Sequence, residues 1–303
     1  MSQGICTGRV VVVTGAGNGI GRAHALAFAA QGARVVVNDL GGAPDGTGAS
    51  AAPAQRVADE IIAAGGEAVA NTDDVCDWHG AQRLIGQAVD TFGGLDVLVN
   101  NAGILRDRTI AAMTEQEWDA VIAVHLRGHF APLRHAAAYW RERAKAGQDN
   151  DARVINTSSP SGLFGNPGQG NYAAAKAGIA ALTIVAAQEL GRYGVTVNAV
   201  APTAMTRLTA DIPLMQQAAA VTDLSPEAIS PLVVWLGSPA SREISGRVFG
   251  VAGSRITVLE GWVNGPATER EGRWDPAELS DVVPALVEKA APNADPTGAR
   301  PSP

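Results

Sequence analysis

A tyrosine and a lysine stand four residues apart in GNPGQGNYAAAKAG, residues 165–178, a stretch otherwise made largely of small side chains. If a helix starts near Asn171, that spacing puts Tyr172 and Lys176 on one face. A phenol beside an ammonium is a candidate acid/base pair. Taken alone, the same two residues are equally a surface helical pair.

A second constellation lies near the N-terminus. An apolar run ends in TGAGNGIG, residues 14–21, with Gly15, Gly17, Gly19 and Gly21 spaced around Asn18 and Ile20. Such a loop lets the backbone approach a pyrophosphate while the following helix points its free N–H groups and positive dipole end at it. Asp39 closes the next apolar run about 20 residues on, where a carboxylate accepts hydrogen bonds from adenosine ribose hydroxyls. A carboxylate there opposes the extra phosphate of NADP, and Asn18 takes the middle of the loop in place of Arg or Lys, so NAD is the expected cofactor. In NTDDVCD, Asp74 and Val75 are placed to hold the adenine; Asp73 and Asp74 are equally placed to cap the next helix.

These residues need elements to position them. Short Val-rich runs at residues 9–14, 33–39, 68–72, 95–100, 153–157, 195–200 and 247–251 alternate with helix-like segments such as 20–31 and 54–64. Continuously apolar strands separated by helices predict an α/β fold, a Rossmann-like doubly wound parallel sheet flanked by helices. One such domain is expected over residues 1–254, with a C-terminal extension at 255–291 packed on it and containing a helix from near Pro276. Residues 41–53, rich in Gly, Ala and Pro, read as a flexible inserted loop, and the proline-rich tail 292–303 reads as disordered.

Composition narrows the function classes. The chain has 303 residues, 46% hydrophobic and 17% charged, which suits a large core and excludes disorder. A net charge of -7 without any Lys/Arg-rich stretch argues against a nucleic-acid partner. No leader-like segment or membrane-length run opens the chain, so a cytoplasmic protein with no membrane partner is expected. Cys6 and Cys76 lack metal-type spacing and read as free thiols.

TGAGNGIG, NNAG at 100–103, NTSSPSG at 156–162, YAAAK at 172–176 and VTVNAVAP at 195–202 occur in one order. Together they make the chain resemble the short-chain dehydrogenase/reductase family over about residues 7–252. VVVNDLGG, VHLRGHF and SGLFGNPGQGNYAAAK make it more narrowly similar to the (3R)-hydroxyacyl-CoA dehydrogenase subgroup, whose members are also described as 17β-hydroxysteroid dehydrogenases. The resemblance implies an enzyme oxidising a secondary alcohol with NAD, on an acyl-CoA or steroid lipid substrate, as a homodimer or homotetramer. A 3-oxoacyl reductase using NADPH and a non-catalytic dinucleotide sensor are the rivals.

The resemblance also assigns roles. Tyr172 is the base, which an ordinary phenol of pKa about 10 performs poorly unless positive charge stabilises its phenolate. Lys176 supplies part of that charge and holds nicotinamide-ribose hydroxyls, while Ser159 donates to the substrate oxygen. Asn101, Ala102 and Gly103 join the cofactor contacts. Pro202, Thr203 and Thr206 would meet the nicotinamide carboxamide, although Thr203 stands where the family usually has Gly, and residues 203–224 would form a lid. His125 replaces the family's usual Asn, and reads either as part of a modified proton relay or as a buried histidine bound to backbone. His125 and His129 stand four apart, but no third ligand accompanies them and no metal is expected.

Overall fold

The computed structural model describes residues 4–206, 216, 219, 220 and 222–300. Seven parallel strands, β1 (Val10–Thr14), β2 (Arg34–Asn38), β3 (Glu67–Asn71), β4 (Val97–Asn100), β5 (Ala152–Thr157), β6 (Val195–Thr203) and β7 (Val248–Ala252), form one sheet with β8 (Arg255–Leu259). Their order is β3-β2-β1-β4-β5-β6-β7-β8, and only β8 runs antiparallel, on β7.

The Val runs form strands because both faces of the sheet are covered, so every position can be apolar. Val11, Val13, Val35 and Val37 point into one core layer with Phe28, Ile61 and Leu236. Those partners come from α1 (Gly19–Ala30), α2 (Ala52–Ala63) and α8 (Ser230–Gly237). Val10, Val12, Val36 and Leu98 point the other way, against Leu84, Trp140 and Leu190. These belong to α3 (Trp78–Phe92), α5 (Gly128–Lys145) and α7 (Gly170–Leu190). Trp140 is fully buried with its one polar atom satisfied, since Nε1 donates to the Leu95 carbonyl at 2.7 Å. Helix α7 has the length and hydropathy of a membrane span, yet it lays Lys176, Ile179, Thr183 and Leu190 against the interior as a core helix.

Strand β1 sits between β2 and β4, so the chain order reverses there and a crevice opens at the carboxyl ends of the strands. The loops on its two sides are tied together. Thr14 Oγ1 accepts the backbone N–H groups of Asn101 and Ala102 at 2.9 and 3.1 Å, and Asn101 Nδ2 donates to the Thr14 carbonyl.

The structure departs from the sequence reading in four places. Residues 255–259 are a strand that widens the sheet. Strand β6 runs on to Thr203, which puts Pro202 and Thr203 at a fixed strand end. The insert at 41–53 is pinned to the loop after β4: Leu105 N donates to the Pro44 carbonyl at 3.2 Å and Arg106 Nε to the Asp45 carbonyl at 2.9 Å. The tail folds into a turn at Asp295, described below. The C-terminal helix α9 spans Leu279–Lys289 and buries none of its residues. Most of the expected lid, 207–215 with 217, 218 and 221, lies outside the described residues.

Candidate active site

A cavity of about 750 Å³ opens at the crevice. Of the residues singled out above for cofactor or catalysis, all but Gly17 line it. Gly17 is packed behind, where an added Cβ would come within 2.6 Å of Pro53 Cβ and 2.8 Å of Asp39 Oδ2.

At one end, helix α1 starts at Gly19 with no side-chain cap from Asn18, so its first-turn N–H groups are left for a ligand. Gly19 takes a φ of +53°, and a Cβ there would meet nothing nearer than Thr206 at 3.7 Å, so the loop faces open cavity. That free helix end beside open space fits a dinucleotide pyrophosphate. Asp39 is held by backbone donors on both oxygens, Gly17 N at 2.7 Å and Gly41 N at 2.7 Å. The guanidinium of Arg56, on α2, reaches Gly17 O and Asn18 Oδ1, each at 3.4 Å. This cation at the ribose end carries no sequence signature.

Asp74 and Val75 also line the cavity, with Asp74 Oδ1 accepting Cys76 N at 2.8 Å in a tight turn. Neither Asp73 nor Asp74 caps the next helix. That role falls to Asp77, which accepts Gly80 N at 2.7 Å, and Asp73 pairs with Arg83 at 2.6 Å. Cys6 and Cys76 are free, and burial pushes their thiols up to about 11 and about 12, away from reactive thiolates.

The other end holds the acid/base group. Lys176 is buried at the first turns of α7, and its Nζ donates to the Thr157 carbonyl at 2.6 Å. Ser158 Oγ donates to the Lys176 carbonyl at 2.9 Å, fixing the helix against the end of β5. Sequence reasoning passed over Ser158 although it adjoins Ser159. Lys176 Nζ lies 5.4 Å from the centre of the Tyr172 ring. Ser159 caps the short helix α6 (Pro160–Phe164) by accepting Ser161 N at 3.2 Å, and its hydroxyl favours the ionised form of the nearby Tyr172 phenol.

Burial acts on this pair in opposite senses. It pushes the Tyr172 phenol up to about 12, partly offset by the nearby Ser159 hydroxyl, and it pulls Lys176 down to about 7. The protein by itself therefore does not make a ready base of Tyr172. Between about 7 and 10.5, Lys176 is deprotonated in the fold but protonated when unfolded, so stability gains as pH rises through that window. Below about 7 the cost of the buried ammonium is present in full. Above 10 the raised phenol works the other way, and stability falls as pH rises. Lys176→Met is expected to flatten the rise in melting temperature from pH 7 to pH 10. An unchanged slope would contradict the depressed lysine.

His125 sits in a π-helical segment, Ala123–Arg127, between α4 (Glu115–Ile122) and α5. Its Nε2 lies 2.8 Å from the Ile104 carbonyl and 3.2 Å from Ile104 N, while Nδ1 has no protein partner. Burial and the nearby Lys176 hold its pKa well below the ordinary histidine value, so the ring is neutral. It packs edge-on against the Tyr172 ring, centroids 5.0 Å apart at 89°. His125 is thus bound to backbone through Nε2 and packs against the phenol ring. His129 faces elsewhere, with Nε2 accepting from Thr157 N at 3.4 Å.

A glycine-lined helix start and a carboxylate at one end of a crevice, with a serine, tyrosine and lysine at the other, define a dinucleotide-dependent oxidoreductase. Residues 9–216 match the short chain dehydrogenase family, and the chain belongs to that family. It is 49% identical over 289 residues to the hydroxyacyl-CoA dehydrogenase ChsB1 of Mycobacterium tuberculosis, covering 90% of this chain and 87% of that one. It is 45% identical over 252 residues to the mouse peroxisomal multifunctional enzyme type 2, covering 83% of this chain but 32% of that protein. A solved short chain dehydrogenase from Mycobacterium avium superposes with a TM-score of 0.87 at 60% identity, over 96% of this chain and 99% of the other.

Proposed function

We propose that the chain oxidises the 3-hydroxyl of a (3R)-hydroxyacyl-CoA ester to the 3-oxoacyl-CoA, with NAD as hydride acceptor. The observation that carries the reading is one cavity joining Ser159, Tyr172 and Lys176 to the α1 start and Asp39. Similarity to the two relatives named for acyl-CoA or peroxisomal multifunctional chemistry supports the substrate class. Neither of these two relatives is named for steroids.

When bound, oxidised NAD supplies the hydride acceptor and a positive charge near the phenol. Without added charge, burial keeps Tyr172 protonated, with its pKa near 12. Once ionised, the Tyr172 oxygen takes the substrate hydroxyl proton as the C3–H bond breaks and the C3 carbonyl forms. Ser159 Oγ donates to the same substrate oxygen, while Lys176, anchored by Thr157 and Ser158, is placed to hold nicotinamide-ribose hydroxyls beside the ring. His125 holds the ring plane.

The NAD preference rests on Asp39, whose charge would face a 2′-phosphate. Asp39→Asn removes it while leaving Arg56 in place, and is expected to tighten NADPH binding by at least about tenfold relative to NADH, read by fluorescence titration. Unchanged selectivity would remove Asp39 as the determinant. The substrate class is tested in reverse, by reduction of 3-oxoacyl-CoA. Reduction only of the same chain on acyl carrier protein would overturn the CoA reading. Exposed Trp118 and Phe130 on α4 and α5, with Ile184 and Val185 on α7, support self-association as a dimer or tetramer.

A further inference from the structure

Beyond α9 the chain turns back toward the catalytic end. Asp295 Oδ1 accepts Thr297 N at 2.8 Å, Thr297 Oγ1 at 2.6 Å and Ala299 N at 3.0 Å. Backbone bonds from Asp295 N to the Ala299 carbonyl and from Gly298 N to the Asp295 carbonyl, both 2.8 Å, close the same turn. Its outer residues reach the site: Pro296 and Thr297 line the cavity that holds Ser159 and Tyr172.

What seats the turn is Gly298 against Phe164. Gly298 has a φ of +83°, and an added Cβ would lie 2.8 Å from Phe164 Cε2 and 2.9 Å from Cζ. Both facts disfavour a side chain there, since L residues rarely adopt this φ and a Cβ would crowd the half-buried Phe164 ring. Phe164 is the last residue of α6, the helix whose first turn Ser159 caps. The tail therefore leans on the helix that carries the substrate-facing serine.

We propose that residues 295–299 form the outer wall of the substrate end of the cavity, with Thr297 as a specificity-determining residue that admits slim linear acyl chains and excludes bulky ones. The inference rests on the acyl-CoA reading for the identity of the substrate, and on the geometry alone for the location of the wall.

The test uses the full-length chain. Gly298→Val, which touches no residue placed in catalysis or cofactor binding, is expected to unseat the turn. The ratio of kcat/KM for 3-hydroxy-3-phenylpropanoyl-CoA to that for 3-hydroxybutanoyl-CoA should rise by about tenfold or more, with NADH affinity unchanged. Phe164→Ala should shift the ratio the same way, and Thr297→Trp the opposite way. A ratio unmoved in all three variants, with NADH still bound, would overturn the wall.

A second readout separates this from failure of the substrate assignment. In Thr297→Trp the new indole should add Trp emission that bound NADH quenches, and Gly298→Val in that background should abolish the extra quenching. Quenching without oxidation of any 3-hydroxyacyl-CoA would keep the wall and discard the acyl-CoA reading. No extra quenching would discard the wall.

Discussion

Tyr172→Phe is expected to lower kcat by about 10³-fold or more, with NADH affinity held within about twofold. The change deletes one oxygen and keeps the ring. The edge contact with His125, with ring centres 5.0 Å apart, persists, as does the backbone bond from Tyr172 N to Asn171 Oδ1 at 2.7 Å. What is lost is the atom proposed to accept the substrate proton. Ser159 and Lys176 remain, but neither replaces it: the serine hydroxyl is placed to donate, and Lys176 Nζ is turned to the Thr157 carbonyl. Steady-state kinetics with a parallel fluorescence titration separate the two effects. Near-normal turnover in this variant would remove Tyr172 from the mechanism.

The second large effect falls on the cofactor. A Cβ at Gly21 would lie 2.1 Å from the Gly15 carbonyl oxygen and 2.5 Å from Asn101 Nδ2. Neither neighbour can give way cheaply. Gly15 begins the loop at a φ of +63°, and Asn101 Nδ2 is bonded to the carbonyls of Thr14 and Gly15 at 3.0 and 3.2 Å. Gly21→Ala must push α1 off the loop, displacing the helix start proposed to hold the pyrophosphate. A displacement of this order is expected to weaken NADH binding by about 10²-fold, with an overpacking cost of about 1–3 kcal/mol in stability. A variant that binds NADH normally would show that the loop is not the cradle.

Much of this architecture was legible because the governing signals are local. Val10 to Val13 are consecutive and all buried, and an uninterrupted apolar run is what a strand covered on both faces requires. The glycine loop and the Tyr172–Lys176 spacing are likewise written in adjacent residues. What escaped depends on distant partners. Strand β8 carries the short apolar run ITVL, yet all five of its side chains are exposed or half-buried, Ile256 and Val258 among them, and it forms because β7 offers an edge. The insert at 41–53 is ordered by backbone bonds from residues 105 and 106, to which composition is blind. The tail reads as disordered by its prolines, yet its fold hangs on one carboxylate, Asp295, and one glycine set against Phe164. His125 was visible as a residue, but its neutral, backbone-bound state follows from burial that only the packed site reveals.

Reduction of NAD by the purified protein, offered a (3R)-hydroxyacyl-CoA, its (3S) isomer and a 17β-hydroxysteroid in parallel, tests the proposed chemistry at its centre. Turnover with the (3R) ester, lost in Tyr172→Phe, is the expected result. Turnover of the steroid alone, or of the (3S) ester alone, would contradict it.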